Sequence, residues 1–133
     1  MNKILLLLAV VLLMSGCAGK EQIAVGLLAD PDVTDERSRE AVWLVLEEAP
    51  DFAPQRITGK DIREGALKEL DVLVFPGGTG SGEGRALGVE GAEAVSEFLH
   101  GGKGVVAICA GGYLVVEGWT PETSAIEVVN AVT

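Results

Sequence analysis

GVVAICAGGYL, Gly104 to Leu114, brings a run of small and β-branched apolar residues to a single cysteine, with glycines directly behind it. A short apolar run that stops at a turn reads as a strand covered on both faces, the kind that parallel sheets contain. The small residues Ala110, Gly111 and Gly112 permit a tight turn after Cys109, and Ala110–Glu117 then reads as a helix. Strand, tight turn and helix in that order belong to an α/β architecture.

Working outward, the same alternation recurs. Upstream, Asp71–Phe75 (DVLVF) is a third strand, followed by the glycine-rich loop PGGTGSGEGRALG. A helix over Glu90–Leu99 ends at Gly101 and Gly102 and leads into the fourth strand, Gly104–Ile108. Nearer the N-terminus, Gln22–Ala29 (QIAVGLLA) is a first strand that Asp30-Pro31-Asp32 closes. A helix follows over Val33–Ala49, with apolar Ala41, Val42, Leu44, Val45 and Leu46 at loosely helical spacing and Asp32 or Thr34 as its cap. Pro50 and Pro54 bracket a loop, Gln55–Thr58 is a weak second strand, and Lys60–Leu70 is a short helix or turn. Downstream, Gly118–Thr123 is a turn and Ala125–Val129 a fifth strand. Strands alternating with helices predict a mostly parallel sheet, with right-handed crossovers placing helices on both faces.

A length of 133 residues accommodates one such domain. Residues 1–16, MNKILLLLAVVLLMSG, stand apart from it: Lys3 precedes an apolar run from Ile4 to Met14, then Ser15 and Gly16 precede Cys17. The run is shorter than the roughly 18 residues a membrane-spanning helix needs, so it reads as a secretory signal. MSGC resembles a bacterial lipobox, which implies cleavage before Cys17 and lipidation of that residue. The predicted layout is therefore a signal peptide over 1–16, a lipidated tether over 17–21 and a domain over 22–133. Two acyl chains on Cys17 give stable anchoring in a bilayer. The expected location is the cell envelope, lipid-anchored. Ala18 in place of an aspartate resembles sorting to the periplasmic face of the outer membrane, if the envelope is Gram-negative.

Removing Lys3 with the signal leaves nine basic side chains against twenty acidic ones, from ten and twenty in the whole chain. That surface repels phosphate backbones and excludes nucleic acid as a partner. With Cys17 lipidated, Cys109 is the remaining thiol and no intrachain disulfide can form.

In a parallel α/β sheet, ligands bind beyond the carboxyl ends of the strands. Pro76-Gly77-Gly78 leaves the third strand at that edge and Cys109 leaves the fourth. A cysteine on a strand-to-helix turn is exposed, and a helix N-terminus favours its thiolate. The N–H of Ala110 and those of Gly77 or Gly78 can together form an oxyanion hole.

VFPGGTGSGEG with RALGVEGAEAVSEFLHGGKGVVAICAGGYL resembles the class I glutamine amidotransferase-like superfamily, and more closely the branch named for the N-terminal domain of biotin–protein ligases. The likeness covers Asp71–Val116 strongly and Gln22–Leu70 loosely. It implies a flavodoxin-like three-layer sandwich, apparently lacking the C-terminal part of the family domain. It also implies Cys109 as the nucleophile position and Gly77 and Gly78 as the oxyanion loop. Ala107 and Tyr113 stand where true glutamine amidotransferases carry glycine and glutamine, which argues against a glutamine substrate. The family's histidine and acid lie far downstream of the cysteine, and no histidine follows Cys109 here. His100 precedes the fourth strand; at about 3.3 Å per residue it should sit roughly 15 Å from Cys109, at the opposite sheet edge.

Four further residues are binding candidates. Asp30 ends the first strand at the Cys109 edge, where it either meets a ligand or serves as a turn or cap residue. Glu83 and Arg85 in the glycine loop meet a polar ligand or are solvated, and Tyr113 is a ligand platform or a packing residue. No metal or other cofactor is implied. Three functions follow as expectations: an amidotransferase-like or thiol hydrolase enzyme if the frame continues, a non-catalytic envelope module binding a small molecule or protein at the Cys109 edge, or a redox-responsive thiol protein. An exposed sheet edge leaves room for dimerisation.

Overall fold

The computed structural model describes residues 21–116 and Ile126. The expected signal peptide, Cys17, the expected turn at Gly118–Thr123 and, apart from Ile126, the expected fifth strand lie outside the described residues. Four strands, β1 (Ile23–Leu28), β2 (Phe52–Ile57), β3 (Val72–Phe75) and β4 (Gly104–Ala107), pair in the order β2-β1-β3-β4. Every pairing is parallel, with Val25 opposite Pro54 and Val72, and Val74 opposite Val106. Three α-helices alternate with them: α1 (Glu36–Glu48), α2 (Gly59–Arg63) and α3 (Gly80–His100).

Strand residues alternate between two faces, and each face has its own core. Leu28, Ile57, Leu73 and Phe75 pack with Ile62, Leu87, Val95 and Phe98, so α2 and α3 cover one face. Val25, Leu27 and Val74 pack with Leu46, Val42 and Trp43 of α1 on the other. This is a three-layer arrangement, and near-continuous apolar strands are what a sheet covered on both faces requires. Among the described residues, coverage on the α1 side is incomplete. An apolar groove of about 520 Å³, lined by Ile23, Val45, Val72, Val106 and Ile108 among others, stays open there. Ile126 is buried in the α2–α3 core. Among the described residues no helix is long and apolar enough to cross a membrane.

The chain departs from the sequence expectations at four places. β2 begins at Phe52 and includes Pro54; an edge strand tolerates a proline, because the missing N–H faces away from the sheet. The cap of α1 is Asp35, whose carboxylate accepts the Ser38 N–H at 2.8 Å, while Thr34 is held in the preceding turn by donating to the Asp30 carbonyl at 2.7 Å. The glycine-rich stretch is helical from Gly80 and breaks only at Gly88, where φ is 64° and ψ 180°. Glycine disfavours a helix by roughly 1 kcal/mol per residue, yet Gly80, Gly82 and Gly84 are buried. A Cβ at Gly82 would collide with the Thr79 hydroxyl and come within 3.1 Å of Val33. Close packing on the β1–α1 loop therefore outweighs propensity. Finally, the helix expected after Cys109 is a seven-residue 3-10 helix, Cys109–Val115.

Candidate functional site

The strand order reverses direction between β1 and β3: the chain moves from β1 outward to β2, returns to β3 and moves on to β4. Such switch points open a crevice at the carboxyl edge. Here two loops close much of it. Asp35 N–H donates to the Gly77 carbonyl at 3.0 Å and Thr79 N–H to the Val33 carbonyl at 3.1 Å. Ser38 Oγ donates to the Pro76 carbonyl. The glycine loop is thus fastened to the start of α1 by three bonds.

Next to that loop stands the cysteine elbow. Cys109 is exposed and has φ of 53°, alone in that region among the described non-glycine residues. A non-glycine residue in the left-handed region is held there by its surroundings at a cost of order 1–3 kcal/mol. Those surroundings are visible. Ile108 N–H donates to the Phe75 carbonyl at 3.0 Å, which ends the β3–β4 ladder, and Gly111 N–H donates back to the Ile108 carbonyl at 2.9 Å. A Cβ at Gly111 would come within 2.7 Å of Phe75 Cβ, so the turn lies flat on β3. Gly77, with φ of 96°, faces the elbow: a Cβ there would lie 3.2 Å from Cys109 Cβ and 3.7 Å from Ala110 N. Gly77 and Ala110 are therefore neighbours of the thiol. Gly78 is instead pressed onto Val33–Asp35. A cleft of about 490 Å³ opens beside Cys109, lined also by Ala110, Gly112, Tyr113 and Val116. The helix N-terminus expected behind Cys109 is the start of a seven-residue 3-10 helix, Cys109–Val115, and not of an α-helix.

Of the remaining candidates, Asp30 acts as a cap: its carboxylate accepts the Gly59 N–H at the start of α2, 2.8 Å away. Arg85 is exposed, and Tyr113 lines the cleft half-exposed. His100 is exposed at the end of α3 with Nδ1 2.8 Å from the Ser96 carbonyl, and β4 separates it from Cys109. Glu83 is fully buried, and among the described residues neither carboxylate oxygen has a hydrogen-bond partner. Burial pushes its carboxyl up to about 7; the Asp30 carboxylate adds to the rise, and the nearby Gly77 N–H opposes it without reaching hydrogen-bonding geometry. Of the two readings of Glu83, its burial overturns the solvated one. The flanking Gly82 and Gly84 are the one sequence signal that contradicts it, because small neighbours let a helix sink against its surroundings. Among the described residues no three His, Cys, Asp or Glu side chains form a group that could hold a metal ion.

Compared with protein-family models, curated proteins and solved structures, the chain matches none.

Proposed function

We propose that this chain is an envelope lipoprotein whose α/β domain, of class I glutamine amidotransferase-like and biotin–protein ligase N-terminal-like type, presents Cys109 as a thiol for covalent or close non-covalent capture of a small carbonyl compound. The observation that carries this reading is the left-handed backbone of Cys109 (φ 53°) directly beside Gly77. That conformation sets an exposed thiol at the end of a strand with the Ala110 and Gly77 backbone as its neighbours, which is the arrangement an acyl-accepting elbow uses. Capture without turnover is the reading the geometry favours. A turnover cycle needs a base for the nucleophile and an acid for the leaving group, and the single histidine of the chain lies beyond β4.

The full chain given glutamine or simple amides should release no ammonia beyond a Cys109→Ala control, since loss of acid–base assistance costs roughly 10²–10⁴ in rate. A reactive ester such as p-nitrophenyl acetate should acylate Cys109 once per chain. Cysteine-dependent multiple turnover of an amide would sink the capture reading and restore the enzyme. If instead the ester leaves Cys109 unmodified while dilute peroxide converts it to a sulfenic acid, the redox reading takes its place; the exposure of the thiol is what favours that alternative.

Anchoring is tested separately. Cys17→Ser expressed in a bacterial host should leave an uncleaved precursor that takes up no labelled fatty acid. Normal cleavage and acylation of that variant would show the lipobox assignment to be wrong.

A further inference from the structure

The apolar groove on the α1 side of the sheet is the feature that capture by Cys109 leaves unexplained. Every described side chain that lines it is apolar. Its floor crosses three strands: Ile23 and Val25 on β1, Val72 and Val74 on β3, then Val106 on β4 and Ile108 just past it. Val25 stands opposite Val72 and Val74 opposite Val106, so the floor rises six residues from Ile23 to Ile108, roughly 20 Å at about 3.3 Å per residue. The groove is thus drawn out along the strands. Its volume of about 520 Å³ lies in the range of roughly 300–1,000 Å³ that small-molecule sites occupy. An acyl chain in one bilayer leaflet spans about 15 Å, half of a hydrocarbon core roughly 30 Å thick, so the floor is long enough to hold one. At the upper end Ile108 lines the groove, and the next residue is Cys109, itself exposed. The lining offers nothing to a charged group, and the chain carries a formal net charge of -10. A second copy or an anionic partner is repelled by that charge, whereas an uncharged occupant is not.

We propose that the groove holds the hydrocarbon tail of a long-chain acyl thioester and brings its carbonyl carbon to Cys109. This names the substrate class of the capture reading above and rests on that reading. The tail binds by leaving water, the one driving force that a wholly apolar lining supplies. The thioester follows from the missing acid: a thiolate of low basicity leaves without being protonated, and an amine does not. Cys109 Sγ bonds to the carbonyl carbon, the oxyanion collapses, and the C–S bond of the donor breaks. The donor departs as a thiolate and takes up from solvent the proton that the Cys109 thiol gave to it. The product is an acyl chain on Cys109 with its tail in the groove, and no oxidant or reductant takes part.

The test uses the full chain in bilayer nanodiscs, with S-acetyl and S-octanoyl N-acetylcysteamine as donors and the Cys109 peptide followed by mass spectrometry. Each rate is divided by that of N-acetylcysteine with the same donor and the same nanodiscs, which removes partitioning and intrinsic reactivity. Octanoyl transfer to Cys109 should then exceed acetyl transfer roughly tenfold or more, since each fully buried methylene is worth about fourfold and an open groove realises part of that. Val106→Trp, which fills the groove, and Val45→Glu, which charges its α1 wall, should abolish the preference. Acetyl transfer and alkylation by iodoacetamide should stay unchanged in both. Leu44→Glu, on α1 but outside the lining, should keep the preference; Val45 and Leu44 are both exposed, so neither change threatens folding. Octanamide, which has no leaving group for Cys109 to displace, should shift the Val25, Val74 and Val106 methyl resonances. An octanoyl preference that persists in both groove variants, or octanamide that moves none of those methyls, would overturn the proposal. So would nuclear Overhauser contacts to those methyls from residues 117–133, or from a differently labelled second copy, that octanamide does not displace. If neither thioester nor p-nitrophenyl acetate acylates Cys109 while octanamide still shifts the groove methyls, the capture reading and the delivery step are refuted and the hydrocarbon site stands.

Discussion

Gly78→Ala should destabilise the domain by about 3 kcal/mol or more, enough to unfold a marginal α/β domain. Two independent penalties combine there. The backbone has φ of 148°, which side chains other than hydrogen rarely adopt. The added methyl would also collide with the Val33 carbonyl oxygen and lie 2.7 Å from Asp35 N and 2.8 Å from Thr34 Cα. These are backbone atoms, so no rotamer change relieves the clash. Relief requires opening the two bonds that tie the glycine loop to Val33 and Asp35. Gly112→Ala is the matched control. It lies close to the elbow, but among the described residues a Cβ there meets nothing within 4 Å, so its effect should stay within about 0.5 kcal/mol. Urea denaturation of both variants decides the matter. Similar midpoints for the two would mean that the loops are not packed as described.

The second large effect is a pH dependence of stability. Glu83 has a folded-state carboxyl raised from 4.5 to about 7. Between those values the folded state binds more protons than the unfolded state, so stability falls as pH rises. At 1.36 kcal/mol per unit the wild type should lose about 3 kcal/mol between pH 4.5 and 7 and little more above that range. Three other carboxyls act in a different window and with the opposite sign. Hydrogen bonds from Arg56 hold Glu40 low, Thr58 holds Asp61 low, and Lys103 with the Ala24 N–H holds Asp71 low. Their stabilisation is present above the ordinary carboxylate range and disappears only as pH falls below it. A stability maximum near pH 5 is therefore expected, with its alkaline slope belonging to Glu83. Glu83→Gln should flatten that slope and leave the acid limb unchanged. A wild-type profile that is flat from pH 5 to 8, or the same slope in Glu83→Gln, would show that the carboxyl is solvated after all.

The sequence by itself determined the layered architecture. IAVGLLA, VLVF and GVVAI are apolar without a gap, and a strand reads that way when both of its faces are covered; helical spacing between the runs then demands parallel crossovers. The same local logic placed Cys109 and Pro76-Gly77 at the carboxyl edge, since both follow directly on strand ends, and put His100 at the opposite one. Local signals also explain what was missed. Pro54 and the weak apolar content of β2 hid a strand that is held by pairing with β1 rather than by its own pattern. Tertiary structure alone decided the helicity of Gly80–Leu87, because the glycines that argue against a helix are what allow it to approach Val33 and Thr79. It alone made Asp30 a cap for Gly59, twenty-nine residues away, and placed Gly77 rather than Gly78 against the thiol. It also decided that Glu83 is buried with no hydrogen-bond partner among the described residues. Burial of a single polar residue depends on which loops converge over it, and that convergence arises from contacts between segments far apart in the chain, which no periodicity in a local stretch encodes.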